Sequence, residues 1–208
     1  MNPAPLIGVL ALQGAVAEHQ RALHAVGATT RLVRRAAELE DLDGLVVPGG
    51  ESTAMARLAA ATNLMPAVRK HHDQGMAVFG TCAGLILLAN HVADEAGLQG
   101  FDRIQGLDVA VRRNGYGPQL DSFEQQLQVR GLDAPMTAVF IRAPIIEQVL
   151  SDDVEVLAEA RGTAVAVRQG TLLATSFHPE LTEDTGFHRL FAEIAESRRS
   201  RRHPAISP

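Results

Sequence analysis

The segment "MAVFGTCAGLILLANHV", residues 76–92, decides the fold. "MAVFG" (76–80) is a short apolar run closed by glycine, and "CAGLILLANHV" (82–92) continues at helical length, so the segment predicts a buried strand, a tight turn and a departing helix. The same unit stands upstream. "LIGVLAL" (6–12) reads as a first buried strand ending in Gln13-Gly14, and "AVAEHQRALHAVG" carries Val16, Leu23 and Val26 at helical spacing up to Gly27. A short strand in "TRLVR" (30–34), an acidic helical turn in "AAELEDL" (36–42) and a second buried strand in "GLVVP" (44–48) follow, after which "GGEST" opens a helical stretch through Leu64. Strands alternating with helices predict a parallel sheet covered on both faces. Beyond about residue 105, "LDVAVRR", "FEQQLQVR", "TAVFIRA", "VEVLAEAR", "TAVAVRQ" and "LLATSFH" are strand-like runs between turns, so this half is expected to be sheet-rich and partly antiparallel. "TGFHRLFAEIAESRR" (185–199) closes the chain as a helix with Phe187, Leu190, Phe191 and Ile194 on one stripe. The expected fold is α/β, a single domain with a central, mostly parallel mixed sheet flanked by helices.

Length and charge set further limits. A chain of 208 residues supports one substantial core, placed at residues 1–197, with residues 198–208 as a basic, flexible tail. No apolar run approaches the ~20 residues of a membrane span, and no basic residue precedes "LIGVLAL" to make it a secretory leader. The net charge is −5 and the only basic run is "RRSRR" (198–202), which argues against a nucleic-acid surface. One cysteine excludes an internal disulfide and fits a reducing cytoplasm.

That cysteine sits in "GTCAG" (80–84), which has the form of the G-x-S-x-G nucleophile elbow with sulfur in place of oxygen. Small neighbours are needed because the turn forces the nucleophile into an unfavourable backbone conformation. Cys82 is then exposed at the carboxyl end of a strand, with the positive end of the next helix favouring its thiolate. A thiolate needs a proton shuttle. Of eight histidines, His19, His24, His71, His72, His91 and His188 fall in helical stretches and His203 in the tail, positions that suit packing or solvation. His178 differs, because it ends the apolar run "LLATSF" and is followed by Pro179 and Glu180. On an extended backbone residues i and i+2 project to one side, so Glu180 is placed to orient the imidazole. In "VVPGGEST" (46–53), Gly49 and Gly50 can turn N–H groups toward a substrate, where one of them would join the Ala83 N–H against an oxyanion. The spacing and lysine of a phosphate-binding P-loop are absent, as is any metal-ligand spacing.

"PGGES", "GTCAG" and "HPE", in this order, resemble the class I glutamine amidotransferases. Within that class, "LQGAVAEH" (12–19), "PGGEST" (48–53), "RNGYGPQLDSF" (113–123), "VFIRAP" (139–144) and "SFHPELTED" (176–184) resemble the glutaminase subunit of pyridoxal 5'-phosphate synthase, over about residues 6–195. Tyr116, Pro118 and the long basic tail depart from that pattern without touching the triad. The resemblance implies Cys82 as nucleophile, His178 as general base and acid, and Glu180 as its orienter. It implies glutamine contacts at Gly50, Glu51, Ser52, Arg113, Ile141 and Arg142, and an oxyanion hole from Gly50 and Ala83. It further implies a hetero-oligomer with the synthase subunit, which receives the ammonia through a tunnel and makes pyridoxal 5'-phosphate from a pentose and a triose phosphate. Neither metal nor cofactor is expected in this chain. Gln13 is a candidate sensor of docking, and docking is expected to reorient a peptide around Gly49 and Gly50 so that an N–H points at the oxyanion. Three alternatives stay open: a glutaminase for another acceptor pathway, an inactive scaffold or regulatory partner, and a cysteine redox sensor of related fold.

Overall fold

The computed structural model describes residues 4–113, 115 and 122–202. In chain order the elements are β1 (Leu6–Leu10), α1 (Val16–Ala25), β2 (Thr29–Val33), β3 (Gly44–Val47), α2 (Ser52–Ala60), α3 (Leu64–Asp73), β4 (Ala77–Thr81), α4 (Ala83–Leu88), β5 (Ala89–Val92), β6 (Leu107–Arg112), β7 (Ser122–Leu127), β8 (Met136–Ile141), β9 (Ile145–Val149), β10 (Glu155–Ala160), β11 (Thr163–Gln169), β12 (Leu172–Thr175) and α5 (Gly186–Arg202). A seven-stranded sheet has the order β10-β11-β12-β4-β3-β1-β2. Its strands from β12 through β2 are parallel, and β10-β11-β12 is antiparallel. This is the mostly parallel mixed sheet expected from the alternation of runs. No helix among the described residues is long and apolar enough to cross a membrane.

Every residue of β3, β4 and β12 is buried, because helices cover both faces of the sheet. The period of two sorts their side chains between two cores. Leu45, Val47 and Val78 face α2, α3 and α4, whereas Val46, Ala77 and Phe79 face α1 and α5. On the second face the Phe79 ring lies 6.2 Å from Phe187 and 5.5 Å from Phe191, so the predicted apolar stripe of α5 seats on the central strand. Two smaller sheets, β5-β6-β9 and β7-β8, extend the first and second cores respectively.

Three expectations are corrected. The helical stretch expected through Leu64 ends at Ala60, where Thr62 Oγ1 bonds the Ala59 carbonyl and Asn63 takes φ 51°, and a second helix, α3, starts at Leu64. The helix after Cys82 ends at Leu88 rather than Val92. Asn90 draws the chain into β5 instead, its amide donating to Asp108 Oδ1 and its Oδ1 accepting from the Gly106 N–H at 2.7 Å. His91 therefore lies on a strand. "IIEQV" forms β9, a strand the sequence reading passed over, which pairs antiparallel with β6. The helix α5 includes positions 198–202 of the basic run, while 203–208 and most of "RNGYGPQLDSF", with Tyr116 and Pro118, lie outside the described residues.

Candidate active site

Cys82 stands between β4 and α4 with φ 50° and ψ −102°. A left-handed φ at a residue with a side chain costs about 1–3 kcal/mol, so its surroundings must over-determine it. The Cys82 N–H donates to the Thr175 carbonyl at 2.8 Å, tying the turn to β12. Both flanking glycines are demanded by close approach. A Cβ on Gly80 would lie 2.6 Å from the Gly84 carbonyl carbon, and one on Gly84 would lie 2.1 Å from the Val47 oxygen. The helix α4 begins directly after Cys82, and the sulfur also has a side-chain partner.

That partner is His178, at the end of β12. Its N–H donates to the Val139 carbonyl at 2.9 Å, and its Nδ1 lies 2.7 Å from Glu180 Oε1. Pro179–Leu181 is a short 3-10 turn with proline at its first position, so this turn, and not the extended backbone expected, brings His178 and Glu180 together. The pairing itself is as the sequence indicated. Burial opposes the imidazolium, but hydrogen bonds with Cys82 and Glu180, reinforced by their charges, push His178 up to about 10. Burial likewise opposes the Glu180 charge, yet the neighbouring His19 and the His178 hydrogen bond hold this carboxyl below its usual range. The arrangement is a cysteine sulfur beside an imidazole that is backed by a buried carboxylate, a set able to carry acyl transfer.

A cavity of about 430 Å³ opens over the sulfur and is lined by Gln13, Gly50, Glu51, Ser52, Ala83, Arg113, Ile141, Arg142 and His178 among others. Every nominated site residue except the buried Glu180 therefore meets in one place. A larger open cleft of about 650 Å³ lies at the opposite end of β4 and β12 and holds no cysteine. Glu51 caps α2, accepting from the Thr53 N–H at 2.8 Å and the Ala54 N–H at 2.6 Å. Although burial works against its charge, those two donors hold its carboxyl below the usual range. The Gly49 N–H is already committed to Thr81 Oγ1 at 3.0 Å, which leaves Gly50 as the donor of that loop to set beside Ala83. Gly49 must be glycine, since a Cβ there would lie 2.3 Å from His178 Cε1. Gln13 Oε1 accepts the Glu51 N–H at 3.3 Å, so the first loop touches the second directly.

Some of the site was invisible in the sequence. Arg113 is fixed by Asp94, with Nε 3.2 Å from Oδ2 and Nη2 donating to the Asp94 carbonyl, and by Thr53 Oγ1 at 3.2 Å from Nη1. Asp94 lies in no motif, and Thr53, although it ends "PGGEST", gives no sign of the contact. His19 and His188, read as packing or solvated, are fully buried directly behind Glu180. The only signal was position, and only for His19, which ends "LQGAVAEH".

Known proteins share this architecture. A crystal structure of a glutamine amidotransferase superposes with a TM-score of 0.85 at 46% identity, covering 91% of this chain and 98% of that one. A pyridoxal 5'-phosphate synthase subunit PdxT from Parafrankia sp. is 57% identical, covering 93% of this chain and 95% of the relative. A PdxT subunit from Nocardioides sp. is 52% identical, covering 96% of this chain and 100% of the relative. Residues 9–197, which carry the cysteine elbow, the Gly49-Gly50 loop and the His178–Glu180 pair, match the SNO glutamine amidotransferase family, and the chain belongs to it.

Proposed function

We propose that this chain is the glutaminase subunit of a cytoplasmic pyridoxal 5'-phosphate synthase, hydrolysing L-glutamine to L-glutamate and ammonia for the synthase subunit. The observation that carries the reading is a strained Cys82 facing the Glu180-backed His178 in the same cavity as Arg113 and Arg142. The two guanidinium groups suit the α-carboxylate of glutamine, with Gly50, Glu51, Ser52 and Ile141 lining the remainder. The Cys82 thiolate attacks the side-chain amide carbon, and Gly50 and Ala83 N–H groups receive the oxyanion. The proton on His178 passes to the amide nitrogen as the C–N bond breaks, which releases ammonia and leaves a glutamyl thioester. His178 then takes a proton from water, the hydroxide adds to the thioester carbon, and the thiolate departs from glutamate.

The test is glutamate release by the purified chain with and without its synthase subunit. Turnover that rises with the partner and is abolished by Cys82→Ala is expected. Turnover indifferent to the partner would reassign the pathway, and none under either condition would favour an inactive scaffold. In the same assay Gln13→Ala reads the docking role proposed for that side chain. Loss of most of the stimulation is expected, because the Gln13 contact to Glu51 is the direct link between the two loops; unchanged stimulation removes the role.

A further inference from the structure

The residues behind the triad form a connected polar chain. His19 Nε2 lies 3.6 Å from Glu180 Oε2 and 3.3 Å from Thr81 Oγ1, and Thr81 Oγ1 takes the Gly49 N–H at 3.0 Å. On its other side His19 Nδ1 lies 2.9 Å from His188 Nε2. All four side chains are buried; His188 Nδ1 has no hydrogen-bond partner among the described residues, and Glu180 Oε2 has none beyond the 3.6 Å approach of His19 Nε2.

The groups facing His19 decide the tautomers. An unprotonated His19 Nε2 would turn its lone pair toward a carboxylate oxygen and oblige His188 to bury an orphaned N–H. With the proton on Nε2, His19 donates toward Glu180 and Thr81 and His188 Nε2–H donates to His19 Nδ1, which leaves over a His188 lone pair and the Thr81 hydroxyl proton. Both arrangements leave one buried donor unpaired, so the carboxylate decides: an N–H, and not a lone pair, faces Glu180 Oε2.

We infer that His19 is a positioning residue, whose single Nε2–H supports the second oxygen of Glu180 and the Thr81 hydroxyl and thereby couples the acid-base arm of the site to the oxyanion loop at Gly49. The inference rests on the reading of Cys82, His178 and Glu180 as a glutaminase triad. His19 touches neither the cavity nor the sulfur. Burial pushes His19 down from its ordinary value, against the charge of Glu180, and pushes His188 down to about 3, so both act as neutral imidazoles. The charged and titratable groups facing His19 are Glu180, His178, His188 and Glu18, and those around the sulfur are His178, Glu51, Arg113 and Arg142.

The experiment compares His19→Phe, which keeps a planar ring without the donor, with His19→Gln, whose amide N–H reaches the Nε2 position. Glutamate release is measured with the synthase subunit present, and the pH dependence of Cys82 alkylation by iodoacetamide is measured on each variant without glutamine. His19→Phe is expected to lower kcat about 10–100-fold, as loss of outer support around a reacting group does, with KM within about 3-fold. Its alkylation midpoint is expected to rise by about one pH unit, because an unsupported Glu180 stabilises the imidazolium less. His19→Gln is expected to restore most of both. Thr81→Val reads the other arm, with kcat lowered and the alkylation midpoint unmoved. Wild-type kcat and midpoint in His19→Phe, or equal loss in His19→Gln, would overturn the inference. Should His19→Phe not fold, His19→Gln and Thr81→Val decide, and wild-type kcat in Thr81→Val overturns the coupling. Absence of Cys82-dependent glutamate release in the wild type is a separate result: it sinks the triad reading, while the alkylation midpoints still report the contact to Glu180.

Discussion

Replacing Cys82 by serine is expected to lower kcat for glutamine hydrolysis by at least ~10⁴-fold, the scale on which removing a triad nucleophile acts. The two side chains have nearly the same shape, so the hydroxyl occupies the sulfur's place beneath the cavity. What changes is the ionisation. A thiol gives up its proton far more readily than a hydroxyl, and a serine holds its proton too tightly for the same imidazole to share it. Glutamine affinity, read by calorimetry, should change by less than about 3-fold, since the substrate contacts lie on other residues; a parallel loss of affinity would mean that the variant disturbs the cavity. The backbone gives a companion result. Cys82→Ala and Cys82→Gly remove the same sulfur, but only glycine is at ease at φ 50°, ψ −102°. The glycine variant is therefore expected to melt above the alanine variant, by the equivalent of about 1 kcal/mol once its greater chain entropy is subtracted from the relieved strain. Equal melting temperatures would show that the elbow stores no strain.

Glu180→Gln is expected to lower kcat ~10²–10⁴-fold, in the range found when the orienting carboxylate of a triad is neutralised. The amide oxygen can still accept from His178 Nδ1–H, but the charge that sustains the imidazolium is gone, and an NH₂ group is set against the Nε2–H of His19. Stability should carry the same signature. His178 is raised from its ordinary value of 6.5 to about 10, so its contribution is complete below about pH 6.5 and is lost as pH rises through about 10. Glu180 is depressed, so its contribution is present above the usual carboxylate range and is lost as pH falls through its folded value. The difference in Tm between the wild type and Glu180→Gln should therefore be widest in mildly acid to neutral solution, narrowing toward pH 10 and again in strong acid. A difference constant across that range would mean that the pair is not charged in the folded protein.

The parts of this structure that could be read from the chain are those whose chemistry is local. "GTCAG" shows its geometry because both glycines stand within two positions of Cys82; Gly80 is required by Gly84 within the turn itself, and Gly84 by Val47 on the adjoining strand. His178 and Glu180 were legible because they stand two positions apart, even though a 3-10 turn and not an extended backbone makes the contact. The buried runs of β3, β4 and β12 announced a covered parallel sheet. What stayed hidden depends on distance along the chain. Asp94 holds Arg113 from 19 positions away, and His19 reaches His188 across 169, with no spacing rule to connect them. The end of α4 was missed because "LILLANHV" is apolar enough for either period, and Asn90, whose side chain bonds to Gly106 and Asp108, settles the matter through tertiary contacts.

The central claim is that Cys82 becomes covalently acylated by glutamine. The most direct measurement is intact mass, followed by peptide mapping, of the chain acid-quenched during turnover with glutamine and its synthase subunit. The account predicts a glutamyl adduct confined to Cys82, present in the wild type and absent from Cys82→Ala. Glutamate formed at the wild-type rate with no adduct, or an adduct on another residue, would contradict it.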